Sequence, residues 1–120
     1  MEMKNIAPDI MRQRLLIEGN YTIDVDSNSV KKYLLDLAAY LNLKTYGDPI
    51  IHSPSGQGKE ENQGFDAFVP LIDSGISLYI WSNKKFMSCV VYTCKEFSVE
   101  RCLQFTKDFF ITTELEFKEF

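Results

Sequence analysis

The stretch from Phe65 to Cys94 constrains what this chain can fold into more than any other. Phe65 to Ile72 is an apolar run, broken by the turn residues Asp73-Ser74-Gly75. Ile76, Leu78 and Ile80 then alternate with Ser77, Tyr79 and Trp81. After Ser82-Asn83-Lys84-Lys85 comes Phe86 to Cys94, rich in Val, Tyr and Thr. Period-two patterning between short turns predicts three strands in an antiparallel meander. The same alternation puts Tyr79 and Trp81 on the face opposite Ile76, Leu78 and Ile80. Whatever covers that face decides what the two aromatics do.

The flanks supply the other layer. Arg12 to Gly19 carries Leu15-Leu16-Ile17, ends at Gly19-Asn20 and reads as a strand. Val30, Leu34, Leu37, Ala38 and Leu41 recur at helical spacing, predicting a helix over 28–42 with Ser27 or Ser29 as its cap. Lys44 to Ile51 looks extended. Ser98 caps a second helix whose inner face holds Val99, Cys102, Leu103, Thr106 and Phe110. Leu115 and Phe117 alternate with Glu114, Glu116 and Lys118 in a last strand. The order is β-α-β-β-β-α-β: an α+β fold with both helices on one face of a mostly antiparallel sheet. Residues 1–10, with Ala7-Pro8-Asp9, read as a loose arm, and 11–120 as a single domain. With 120 residues, 45% of them hydrophobic, such a domain buries somewhat over ~60% of its unfolded surface and needs no metal or disulfide to fold.

Charge and cysteine usage exclude several classes. A net charge of −4, with Lys31-Lys32 and Lys84-Lys85 as isolated pairs, gives no basic face for nucleic acid. No apolar run approaches the ~20 residues of a membrane span, and Met1 to Arg14 has no signal-peptide core. Three cysteines without CxxC spacing and one histidine do not make a disulfide frame or a zinc site. They read as reduced thiols of a cytoplasmic protein, with Cys89 and Cys102 in the core. No cofactor is implied by these residues.

The least core-like segment runs from His52 to Gly64, with three glycines, a proline and no large apolar residue. It reads as a long loop, and loops of this length are commonly functional or disordered. Glu61, then Glu60, are its candidate acid–base groups, set against the reading of a solvated turn. Ser53-Pro54-Ser55-Gly56-Gln57-Gly58 lacks P-loop spacing, but amides around Ser53, Ser55 and Gly58 are candidates for holding a carboxylate or a ribose. His52 is either a half-exposed structural histidine or an acid/base. Asp73 and Ser74 need no function in a turn, and Trp81 and Tyr79 suit core packing, adenine stacking or a subunit interface. Cys94 in isolation reads as an ordinary thiol.

Gln63-Gly64-Phe65, the run Leu71-Ile72-Asp73-Ser74-Gly75-Ile76-Ser77-Leu78-Tyr79-Ile80-Trp81, and Val91-Tyr92-Thr93-Cys94 together resemble the prokaryotic S-adenosylmethionine decarboxylases. The likeness covers roughly residues 12 to 118. Members show a Gln-Gly, an acidic-Ser-His-Ile-Ser-Ile-His-Thr-Trp stretch and a Phe-Thr-Cys at matching intervals. The family cuts its own chain at a Ser before a His and turns that Ser into a pyruvoyl electron sink. Here the Ser-His positions fall on Gln57-Gly58 without a gap, or near the reversed His52-Ser53 with an insertion. The histidine before Ile76 is Gly75, the later one is Tyr79, and Cys94 remains. The resemblance implies a decarboxylase-like fold, a homo-oligomer and a pocket bordered by Asp73, Ser74 and Cys94. It also implies a ligand that is S-adenosylmethionine or a related sulfonium nucleoside. Without Ser-His, the expected chemistry is a pyruvoyl-independent carbon–sulfur cleavage of lyase or hydrolase type, with Glu61, Glu60 and Tyr79 as candidates. A non-catalytic binding relative, and a polyamine-pathway decarboxylase cut atypically at Ser53 or Ser55, are the alternatives.

Overall fold

The structure, a computed structural model, describes residues 2–54 and 63–120. Its elements in chain order are β1 (Gln13–Asn20), α1 (Ser27–Tyr40), β2 (Ile50–His52), β3 (Gly64–Leu71), β4 (Ser74–Trp81), β5 (Phe86–Thr93), α2 (Val99–Phe110) and β6 (Glu114–Glu119). The α+β reading holds, with one strand more than the sequence order contained. The six strands form one sheet in the order β2-β3-β4-β5-β1-β6, and every neighbouring pair is antiparallel.

The meander β3-β4-β5 forms where the alternation put it, with Ile72-Asp73 as a two-residue hairpin turn. Asp73 takes φ 61°, a left-handed conformation that Asp tolerates better than most residues. The extra strand corrects the reading of His52 as the start of the loop. Ile50–His52 pairs with Phe68–Asp66 as a three-residue edge, and Thr45 bridges Leu71. Between them Tyr46-Gly47-Asp48-Pro49 interrupts pairing, since Pro49 has no N–H to donate.

Both helices lie on the same face. Strand residues of one parity line it: Leu15 and Ile17, Ala67 and Val69, Ile76, Leu78 and Ile80, and Met87, Cys89 and Val91 are all buried. Val30, Tyr33, Leu34, Leu37 and Ala38 of α1 pack down on them, with Cys102, Thr106 and Phe110 of α2. Tyr33 is central, its ring within 4.8 to 6.0 Å of those of Phe105, Phe109 and Phe110. Its hydroxyl shares a 2.8 Å hydrogen bond with Thr106 Oγ1 and donates to Cys89 Sγ at 3.7 Å.

The caps differ from expectation in one case. Asp26, not Ser27 or Ser29, caps α1: its carboxylate accepts from Ser29 N at 2.8 Å, and Ser29 Oγ accepts from Asp26 N. A carboxylate outcompetes a hydroxyl as acceptor for the first-turn amides. Ser98 caps α2 as read, accepting from Arg101 N at 3.1 Å. No helix among the described residues is long and apolar enough to cross a membrane.

Candidate functional site

Among the described residues, no helix covers the opposite face of the sheet. Strand register orders its side chains into rows across the strands. One row runs Pro70, Gly75, Tyr92, Arg14; the next runs Ile50, Phe68, Ser77, Val90, Leu16. A third runs His52, Asp66, Tyr79, Ser88, Glu18, and a fourth Gly64, Trp81, Phe86, Asn20. Phe68, Tyr79 and Tyr92 are about two-fifths exposed. An uncovered face with this many rings is the unusual surface of the molecule.

A groove of about 340 Å³ opens on it, lined by Phe68, Asp73, Ser74, Gly75, Ser77, Val90, Tyr92 and Cys94. It exists because the β3-β4 turn folds back on the end of β5: Cys94 N donates to Asp73 O at 2.9 Å. Ser74 Oγ donates to Thr93 Oγ1 at 2.6 Å, and Lys95 N donates to the same oxygen at 2.9 Å. Asp73 and the Cys94 thiol are exposed beside the groove. Gly75 forms part of its floor. A Cβ there would stand 2.8 Å and 2.9 Å from Phe68 Cε1 and Cζ, so the Phe68 ring occupies the space a side chain at 75 would need.

The sequence candidates therefore divide. Asp73, Ser74 and Cys94 come together at the groove. Tyr79 and Trp81 share the open face but lie further along β4, with Trp81 against Phe86 at 5.1 Å between ring centroids. Register places His52 opposite Asp66 and Asp66 opposite Tyr79, which aligns imidazole, carboxylate and phenol across three strands. Ser53 is exposed just past β2. Ser55, Gly58, Glu60 and Glu61 lie outside the described residues.

Gln63-Gly64 has a structural explanation. A Cβ on Gly64 would collide with the Ile80 carbonyl oxygen, and Gln63 O accepts from Ser82 N at 2.9 Å. The motif starts β3 close against the end of β4, where only glycine fits.

Phe68, Asp66, Tyr92 and Arg14 were not singled out by sequence. The alternation of β3 held the signal for the first two, because Asp66 and Phe68 share a parity opposite to Ala67 and Val69. Cys89 and Cys102 are buried, as expected. Burial pushes the Cys89 thiol up to about 12 and the Cys102 thiol higher still, so neither is a nucleophile.

Comparison with known proteins supplies the family. The sequence profile described as S-adenosylmethionine decarboxylase matches residues 16–120. Among solved structures, the chain is similar to the crystal structure of the adenosylmethionine decarboxylase from Aquifex aeolicus. The TM-score is 0.69 and the identity 18%, over 92% of this chain and 89% of that one. At that identity the structural likeness speaks for the fold. No curated protein matches. With the profile spanning nearly the whole domain, the chain belongs to the S-adenosylmethionine decarboxylase family.

Proposed function

We propose that this protein binds S-adenosylmethionine, or a close sulfonium relative, on the open sheet face and cleaves a carbon–sulfur bond without a pyruvoyl group. Family membership supports the ligand class. The observation that carries the chemistry is the Phe68 ring lying in the space of a side chain at Gly75, where the resemblance expects a histidine. His52 is the single histidine, it follows Ile51, and it sits on the far edge strand, remote from Cys94 in the sheet. No serine in the chain precedes a histidine, the order the resemblance expects where a pyruvoyl group forms.

Elementary chemistry makes the alternative economical. In a sulfonium the C–S bond is already activated. The ligand's own carboxylate oxygen can attack the γ-carbon, with the C–S electron pair moving to sulfur. The products are a five-membered lactone and a neutral thioether nucleoside, and no proton changes hands. The protein's tasks are to hold the cation and to bend the ligand so that the carboxylate oxygen and the γ-carbon meet. Asp73 supplies negative charge beside the groove, and Phe68 and Tyr92 supply faces for a purine or a sulfonium. Glu61 and Glu60 are the sequence candidates for a further negative charge near the sulfonium. The exposed rings of the open face outside the groove, such as Tyr79, also support self-association as a homo-oligomer.

A specific observation favours a second reading, a non-catalytic binder. The His52-Asp66-Tyr79 row and the Cys94 groove are separate, so the candidate groups among the described residues do not converge on one point.

The test is incubation of purified protein with S-adenosylmethionine, with products followed by mass spectrometry beside the intact protein mass. A lactone and a thioether nucleoside from an uncut chain are expected. Two fragments split at a serine (Ser53, Ser55 or Ser74), together with loss of carbon dioxide from the ligand, would overturn the proposal in favour of a decarboxylase. Binding without turnover would establish the second reading.

A further inference from the structure

Beside the groove a second pocket, of about 420 Å³, lies between the N-terminal segment and the open face, lined among others by Asn5, Asp9, Met11, Arg12 and Arg14. Two arginines border it in opposite states. The donors of Arg12 are spent inside the segment: Nη1 reaches Ala7 O at 2.6 Å and Ile10 O at 2.7 Å, and Nη2 reaches Asn5 Oδ1 at 2.9 Å. This bonding folds residues 5–12 into the pocket wall.

Arg14 is different. Its guanidinium lies over the Phe120 ring, 5.5 Å from the centroid, and its Nε is buried with no acceptor among the described residues. With its Nε turned inward, Arg14 lines the pocket and can donate from its Nη groups to a ligand carboxylate there. Arg14 is the cross-strand neighbour of Tyr92, and Tyr92 lines the groove. Neighbours in such a pair stand ~4.5–5.5 Å apart at Cα. One small molecule can therefore reach from the rings of the groove to this guanidinium. Asp9, an exposed carboxylate, lines the same pocket and forms no ion pair with Arg14 among the described residues.

We infer that this pocket receives the α-amino-acid end of the ligand, one carboxylate oxygen held by Arg14 with the other left free to attack, and the ammonium held by Asp9. The inference rests on the function proposed above. It makes Arg14 the determinant that separates a ligand with a carboxylate from the same sulfonium nucleoside without one.

Titration calorimetry with S-adenosylmethionine and with its decarboxylated analogue tests it on the wild type and on Arg14→Met, Arg14→Lys and Asp9→Asn. Arg14→Met is expected to weaken S-adenosylmethionine roughly 10- to 100-fold and to leave the analogue within about twofold. Arg14→Lys is expected to fall between, since it keeps the charge and loses the fork. Asp9→Asn weakens both ligands. Because an altered Arg14 could disturb folding, the Arg14 Nε–H resonance of the wild type is followed as L-methionine is added, and it is expected to shift. If S-adenosylmethionine binds equally to wild type and both Arg14 variants, the inference fails and the proposed function stands. If the wild type ignores S-adenosylmethionine but L-methionine shifts Arg14 Nε–H, the function reading fails and the amino-acid site stands.

Discussion

Replacing Gly75 by alanine puts a methyl group where the Phe68 ring now lies, and its effect can be worked out from two opposing quantities. Glycine inside a strand costs about 0.5–1 kcal/mol relative to alanine, because its unfolded chain has more freedom to lose. Against that gain, the new Cβ would meet Phe68 Cε1 and Cζ at 2.8 and 2.9 Å. Phe68 is 41% exposed, so its ring can swing aside, at about 0.5–1.5 kcal/mol for an off-rotamer side chain. The two nearly cancel, and Gly75→Ala alone should change stability by less than about 1 kcal/mol. In a Phe68→Ser background there is no ring to displace, and the same change should stabilise by about 0.5–1 kcal/mol. The coupling energy is therefore about 1 kcal/mol. Urea unfolding of the four proteins in a double-mutant cycle measures it. If Gly75→Ala has the same effect in both backgrounds to within about 0.3–0.5 kcal/mol, the ring does not occupy the space at 75. The carrying argument for a pyruvoyl-independent site would then fall with it.

Other expectations follow from the same geometry. Tyr33→Phe removes a buried hydroxyl bonded to Thr106 and Cys89, and should lower stability by about 1–2 kcal/mol in urea unfolding; no change would mean that these groups are not paired. In the native protein at pH 8, a thiol reagent should label Cys94, the exposed cysteine, and reach Cys89 and Cys102 only on unfolding. Those buried thiols ionise more readily in the unfolded chain, whose ordinary value is 9.0, than in the native one, where Cys89 is pushed up to about 12. Above pH 9 the unfolded state therefore binds fewer protons, so stability should fall as pH rises from about 9 to 12; Cys89→Ala and Cys102→Ala together should flatten that slope. Gly64→Ala, which drives a Cβ into the Ile80 carbonyl, should yield unfolded or insoluble protein; a native-like near-ultraviolet spectrum would refute that packing.

The sequence by itself determined the meander, both helices and the core, because each follows from a local period. Apolar residues every second position specify Phe65 to Cys94, and apolar residues at helical spacing specify α1 and α2. Local chemistry was ambiguous only where several good caps lie together, as at Asp26, Ser27 and Ser29. The short edge strand Ile50–His52 was legible only as an extended stretch ending at Ile51, since three residues carry no period and their pairing depends on β3. The site was not legible. Asp73 and Cys94 are twenty-one positions apart and meet because a hairpin turn is tied to the next strand's end. Phe68 reaches Gly75 across a strand pair. Arg14 stands beside Tyr92 because β1 inserts between β5 and β6, far from both in sequence order. Alternation tells which side chains share a face; strand order and register decide which of them become neighbours. That choice is made by the tertiary fold, through the burial of one sheet face under two helices and the exposure of the other.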